Sequence, residues 1–123
     1  MKILVAEDDP TMRHLMGKIM VREDISCSVV GDGVSALDAW EKERHDCILM
    51  DVQMPRMDGL SATQLIRQKE RELGGHTIII AVTAFATDAD RQQCLDSGMD
   101  DYISKPIDVN VLLAMIRKHS VHH

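Results

Sequence analysis

Short apolar runs alternate along the chain with longer stretches in which apolar residues recur every three or four positions, and the alternation repeats five times. Lys2 to Ala6, Ser26 to Val30, Cys47 to Met50, Thr77 to Val82 and Asp101 to Ser104 read as strands. Cys47 to Met50 is apolar throughout, as in a strand covered on both faces of a parallel sheet. Thr77 to Val82 is the most β-branched segment and is assigned to the centre of the sheet. A first helix opens at Pro10, with Met12, Leu15, Met16, Ile19 and Met20 on one face and Arg13, Lys18 and Arg22 outside it. After the turn Gly31-Asp32-Gly33, Val34, Leu37 and Trp40 mark a second helix ending near Arg44. Leu60, Leu65 and Ile66 mark a third, with Arg67, Lys69, Glu70 and Arg71 on its wet side and Leu73-Gly74-Gly75 at its end. The fourth helix, about Asp88 to Ser97, is the least apolar, since only Cys94 and Leu95 give it an inner face. Val109, Leu112, Leu113 and Ile116 define the last, beyond the break at Lys105-Pro106.

Strand and helix in strict alternation, with short connections, give right-handed crossovers and therefore a parallel sheet with helices on both faces. Residues 1–119 form one domain in this reading, and 120–123 a disordered tail or the remnant of an affinity tag. The ending His119-Ser120-Val121-His122-His123 could also bind a metal, but a frayed terminus is favoured. The methionines of the first helix are read as core packing rather than a soft-metal site.

Composition narrows the class. A chain of 123 residues with a net charge of -6 is not suited to non-specific nucleic-acid binding or to an anionic membrane. No apolar run approaches the roughly 20 residues of a membrane span, and no secretory leader pattern is visible. Cys27, Cys47 and Cys94 are odd in number, lack metal-type spacing and sit in apolar patterns, which suits buried thiols in a reducing compartment. A cytoplasmic location is expected.

Ligands of open α/β sheets collect outside the carboxyl ends of the strands. The third strand run stops on Asp51, and Pro55, Asp58 and Gly59 mark the loop beyond it, Asp-Gly being suited to a tight turn. Alone, Asp51 could equally cap the next helix. Parallel strands, however, also deliver Glu7, Asp8, Thr83 and Lys105 to that edge. Two carboxylates about 4 Å apart repel by about 4 kcal/mol at an effective dielectric near 20, so such a cluster takes up a cation or protons. All-oxygen ligands suit a hard divalent ion, best magnesium, which accepts a ligand phosphate. Lys105 supplies a mobile positive charge and Thr83 a donor for an anionic oxygen. No glycine-rich phosphate loop is present. Together these groups point to Asp51 as a nucleophile that becomes phosphorylated.

At this point the whole chain resembles a two-component response-regulator receiver domain. The marks are the acid pair in Val5-Ala6-Glu7-Asp8-Asp9, the aspartate of Met50-Asp51-Val52-Gln53-Met54-Pro55, Thr83-Ala84, and Tyr102-Ile103-Ser104-Lys105-Pro106. The stretches 51–59 and 98–106 are most similar to receivers attached to hybrid sensor histidine kinases. The resemblance implies a flavodoxin-like (βα)5 doubly wound α/β sandwich whose five parallel strands run in the order 2-1-3-4-5. It implies that Asp51 accepts a phosphoryl group from a phosphohistidine on a histidine kinase or histidine phosphotransfer protein. Asp8, Asp51 and the main-chain carbonyl of Gln53 would coordinate Mg2+, with Glu7 acting through water. Glu7 stands where many members have aspartate, and its longer side chain is expected to reach. Asp9 is expected to point away. Lys105 would pair with the phosphoryl oxygens and Thr83 donate to one, and the peptide before Pro106 is expected to be cis.

The resemblance further implies a switch, in which Thr83 and Tyr102 move on phosphorylation and bias the face of the fourth helix, fifth strand and fifth helix. Gln53 and Phe85, two residues past Asp51 and Thr83, are expected to set the phosphoryl lifetime. Residues near Met12, His14, Leu15 and the Lys105-Pro106 loop are expected to choose the partner. No direct nucleic-acid or membrane contact is expected, and the domain is expected to be a monomer or weak homodimer rather than an enzyme in its own right. Two alternatives are a receiver-like interaction module that needs no phosphorylation and an aspartyl-phosphate phosphatase. The second is disfavoured by Gln53 where such phosphatases carry a second Asp.

Overall fold

The computed structural model describes residues 1–85 and 87–120. The histidine-rich ending expected to be a tail or tag remnant therefore lies, from residue 121 on, outside the described residues. Five strands, β1 (Lys2–Ala6), β2 (Ser26–Val30), β3 (Cys47–Asp51), β4 (Ile78–Thr83) and β5 (Asp101–Ser104), alternate with five helices. The helices are α1 (Pro10–Arg22), α2 (Gly33–Lys42), α3 (Gly59–Leu73), α4 (Asp88–Asp96) and α5 (Val109–Ser120). All strand pairs are parallel and the order is β2-β1-β3-β4-β5, the doubly wound arrangement anticipated from the sequence.

Strand side chains alternate between faces, so one sheet builds two cores. Leu4, Ala6, Ile48, Met50, Ile79 and Ala81 pack under Ala36 and Trp40 of α2, Ala62 and Ile66 of α3, and Cys94 of α4. Ile3, Val5, Leu49, Ile80 and Val82 pack under Met16 and Met20 of α1 and Leu112 and Ile116 of α5. Central β3 is buried at every position, which is why its sequence does not alternate. Edge strand β2 has no fully buried residue.

Helix starts are set by short polar side chains that accept from otherwise unpaired N–H groups. Asp9 accepts from Thr11, Asp32 from Ser35, Asp58 from Ser61, and Thr87 exchanges bonds with Asp90 in a capping box. Asp108 accepts from the Asn110 and Val111 N–H groups at the start of α5. Asp58-Gly59, read as a tight turn, thus proves to be the cap and first residue of α3. Because Asp58 does the capping, Asp51 is released from that role.

Several local expectations are corrected. Leu15 and Leu95 are exposed, because the buried stripes of α1 and α4 are narrower than the apolar spacing suggests. The chain leaves α2 at Lys42, where Glu43 is already extended. Thr77 precedes β4, its hydroxyl accepting from the Trp40 indole N–H at 2.9 Å. Arg67 and Glu70, expected on the wet side of α3, turn inward. Glu70 is buried, and the Arg67 guanidinium donates to Glu70, Asp100 and the Gly98 and Thr77 carbonyls at 2.6–2.8 Å. Among the described residues no helix is long and apolar enough to cross a membrane.

Candidate phosphoacceptor site

The carboxyl ends of β1, β3, β4 and β5 meet in an open cleft of about 180 Å³, lined by Asp8, Asp51, Gln53, Thr83, Ala84, Phe85 and Lys105. Asp51 ends β3 and is buried, as is Glu7 just past β1, whereas Asp8 is exposed. Each of the three offers a carboxylate oxygen within 4.8 Å of the others. Lys105 Nζ lies 2.9 Å from Glu7 Oε1 and 3.2 Å from Asp51 Oδ2, so one ammonium serves two carboxylates. The second oxygens are held by main-chain N–H groups, Asp9 donating to Glu7 and Gln53 to Asp51, both at 3.1 Å.

The electrostatics follow from three acids facing one base. Burial, and then the Glu7 carboxylate hydrogen-bonded beside it, push the Asp51 carboxyl up to about 7, against the pull of Lys105. Burial acts on Glu7 too, but hydrogen bonds from Lys105, the Asp9 N–H and Asp51 outweigh it and hold Glu7 below the usual carboxylate range. For Lys105, burial is outweighed by both carboxylates, and its ammonium is reinforced. Burial and mutual repulsion therefore favour a shared proton on the metal-free Glu7–Asp51 pair. A hard divalent cation would take that proton's place, and the all-oxygen donor set fits one.

Thr83 and Phe85 also line this cleft, whereas Tyr102 lies outside it. Thr83, at the end of β4, is buried, and its Oγ1 accepts from the Phe85 N–H at 3.0 Å. The Phe85 side chain is half exposed at the cleft mouth. Tyr102, on β5, is half-buried against the α2–α3–α4 core, and the Arg91 guanidinium of α4 lies 4.7 Å from its ring centre. The Lys105-Pro106 peptide is cis, as expected. Asp9 points back to α1 as its cap.

Two contributors escaped the sequence reading. A Cβ on Gly59 would lie 2.2 Å from the Asp51 carbonyl oxygen, so only glycine lets α3 start against the end of β3. The Asp-Gly pair is visible in the sequence, but nothing in one dimension shows what approaches it. Arg13, assigned to the outside of α1, instead reaches the acid pair. Its Nη1 donates to the Glu7 and Asp8 carbonyls, both at 2.9 Å.

A family model for the response regulator receiver domain matches residues 3–117. The chain belongs to that family. Hybrid signal transduction histidine kinase I of Dictyostelium discoideum is 42% identical over 120 residues, which cover 94% of this chain and 7% of that protein. The receiver thus spans only a small share of that relative's length. Among solved structures, the receiver domain of sensor histidine kinase PA1611 from Pseudomonas aeruginosa PAO1 is 36% identical, with a TM-score of 0.86. That match covers 95% of this chain and 94% of the other, and the PA1611 domain holds a magnesium ion in its active site cleft. The receiver domain of Ssk1, crystallised with the histidine phosphotransfer protein Ypd1 of Saccharomyces cerevisiae, matches with a TM-score of 0.91 at 28% identity. It covers 96% of this chain and 87% of that one.

Proposed function

We propose that this receiver takes a phosphoryl group from a phosphohistidine onto Asp51, with Mg2+ as cofactor. The observation that carries the reading is the convergence of Lys105 Nζ on Glu7 and Asp51 inside a triad of carboxylates 4.8 Å or less apart. Asp8, Asp51 and the Gln53 main-chain carbonyl would hold the ion, with Glu7 acting through water. When bound, Mg2+ supplies positive charge to the acids and to the transferring phosphoryl oxygens. A carboxylate oxygen of Asp51 attacks phosphorus. The O–P bond forms as the N–P bond breaks, and the bonding pair returns to the imidazole nitrogen of the donor. Asp51 must be ionised to attack, and a bound cation favours that form against the upward pull of burial and Glu7. Lys105, released from its bonds to carboxylate oxygens, pairs with the phosphoryl oxygens, and the Thr83 hydroxyl donates to one.

The added charge of about -1.5 to -2 then draws Thr83 inward and lets Tyr102 follow, shifting α4, β5 and α5. Gln53 and Phe85 govern water access to the acyl phosphate. The donor is a histidine kinase or a histidine phosphotransfer protein, a proposal supported by the hybrid kinase relatives and the Ypd1–Ssk1 neighbour. The domain, 1–119, acts in the cytoplasm as a monomer or weak homodimer, and by itself accepts phosphoryl groups rather than turning over an external substrate.

The test is transfer of label from a phosphohistidine donor to the wild-type protein and to Asp51→Asn, with Mg2+ and with chelator. Label should appear on the wild-type chain only with Mg2+ and be lost from it in alkali. Undiminished labelling of Asp51→Asn would overturn the reading.

A further inference from the structure

Asp8 differs from Glu7 and Asp51 in being exposed, so its carboxylate is aimed chiefly by its own main chain. That main chain lies between the end of β1 and the start of α1, where the regular ladder stops. Two contacts fix it. The Glu7 N–H donates to the Val30 carbonyl at 3.0 Å, continuing the pairing with β2 by one residue. The Glu7 and Asp8 carbonyls both accept from Nη1 of Arg13, at 2.9 Å each. The guanidinium sits against Gly31, just past β2, where a Cβ would come 2.8 Å from Nη1 and meet nothing else closer than 3.5 Å. Arg13 thus reaches back from the first turn of α1 into a slot that a side chain at position 31 would crowd.

We propose that Arg13 is a positioning residue for the acid pair: by clamping the Glu7 and Asp8 carbonyls it pre-sets the main chain that presents both carboxylates to the divalent cation. The inference rests on the metal-binding reading above but concerns a residue that touches neither cation nor phosphate. Groups that orient ligands without binding the metal commonly change affinity by about 10–100-fold when removed. A fixed positive charge near the site has the opposite sign of effect. If Arg13 acted only through its charge, deleting it would tighten binding of a divalent cation. Positioning and charge therefore predict opposite outcomes.

The test is calorimetric titration of the full chain with MgCl2 at pH 7.5 and moderate salt, together with metal-free thermal melts that verify folding. Asp51→Asn serves as the reference for the site. If wild type and Asp51→Asn take up Mg2+ equally, the metal-binding reading itself fails. If Asp51→Asn loses the binding, the variants at 13 decide the inference. Arg13→Met is expected to weaken Mg2+ binding about 10-fold, and Arg13→Lys, which keeps a donor and the charge, to recover part of the loss. Gly31→Ala retains the arginine and its charge but crowds Nη1, so it should also weaken binding. Combining it with Arg13→Met should add little, because both remove one clamp. Unchanged or tighter binding by Arg13→Met overturns the assignment. Should Arg13→Met fail to fold, Arg13→Gln, which also removes the charge, is read by the same outcomes.

Discussion

The two ends of the sheet carry the same kinds of charge and use them differently. At the amino ends of β4 and β5, Arg67 lies between Glu70 and Asp100, at 2.6 and 2.8 Å. The Thr77 N–H donates to the second Glu70 oxygen, the Ile79 N–H shares Asp100 Oδ2 with Arg67, and His76 Nε2 contacts Asp100 Oδ1 at 2.7 Å. A planar guanidinium with several donors keeps the two carboxylates on separate sides of itself. At the carboxyl ends, a single ammonium faces Glu7 and Asp51, which also face each other and Asp8. The first cluster is complete, and serves to pin the α3–β4 and α4–β5 connections. The second adds a third carboxylate, Asp8, to two acids on one base, a surplus of negative charge that a divalent cation can offset. A surplus of acid at the strand ends where ligands of such sheets collect makes a candidate site, while a cluster whose every carboxylate oxygen has a partner reads as scaffold.

The largest effect should come from breaking the satisfied end. Arg67→Met leaves Glu70 buried without its cation and should cost about 3–5 kcal/mol in urea unfolding. Phosphoryl acceptance by the fraction still folded should persist. A loss below 1 kcal/mol would show that the network is not the strut it looks like. The mirror experiment, Asp51→Asn, removes one of the mutually repelling acids and should leave metal-free stability unchanged or slightly raised, while abolishing acceptance.

A pH series sharpens the contrast. In the folded, metal-free chain the Asp51 carboxyl lies at about 7, well above the unfolded value near 3.9. The folded state therefore binds more protons than the unfolded state between those limits, and this group's contribution to stability declines as pH rises through that window. Mg2+ competes with the same proton, so the rise in Tm produced by magnesium should be small at pH 5 and grow up to about pH 7–8. A rise independent of pH would mean that the ion does not engage Asp51. Asp51→Asn should flatten the profile.

Smaller effects distinguish rates and populations. Phe85→Glu places a hydrogen-bonding carboxylate at the cleft mouth and should shorten the phosphoryl lifetime, measured by loss of label after donor removal. Equal lifetimes would count against a shielding role for Phe85. Arg91→Ala removes the cation over the Tyr102 ring, a contact worth about 0.5–1 kcal/mol at a partly exposed site, enough to change a two-state ratio by about two- to fivefold. The chain has a single tyrosine, so its ring resonances report that shift directly. Unmoved resonances would mean that Arg91 does not hold the ring.

What the sequence by itself determined was whatever is periodic or depends on strand direction. Alternating apolar periods specify strand–helix repeats, short connections force parallel strands, and parallel strands carry Glu7, Asp8, Asp51, Thr83 and Lys105 to one edge. For Asp51 the groups that share its edge already favour site over cap in the sequence, and the structure adds that Asp58 takes the cap. Tertiary packing also decided that Arg67 and Glu70 turn inward while Leu15 and Leu95 remain exposed. A helical period tells which residues share a face, but not which groups from other elements await them there. Gly59 against the Asp51 carbonyl and Arg13 against the acid pair belong to the same class. Their roles are set by approach distances between segments far apart along the chain, which no local pattern encodes.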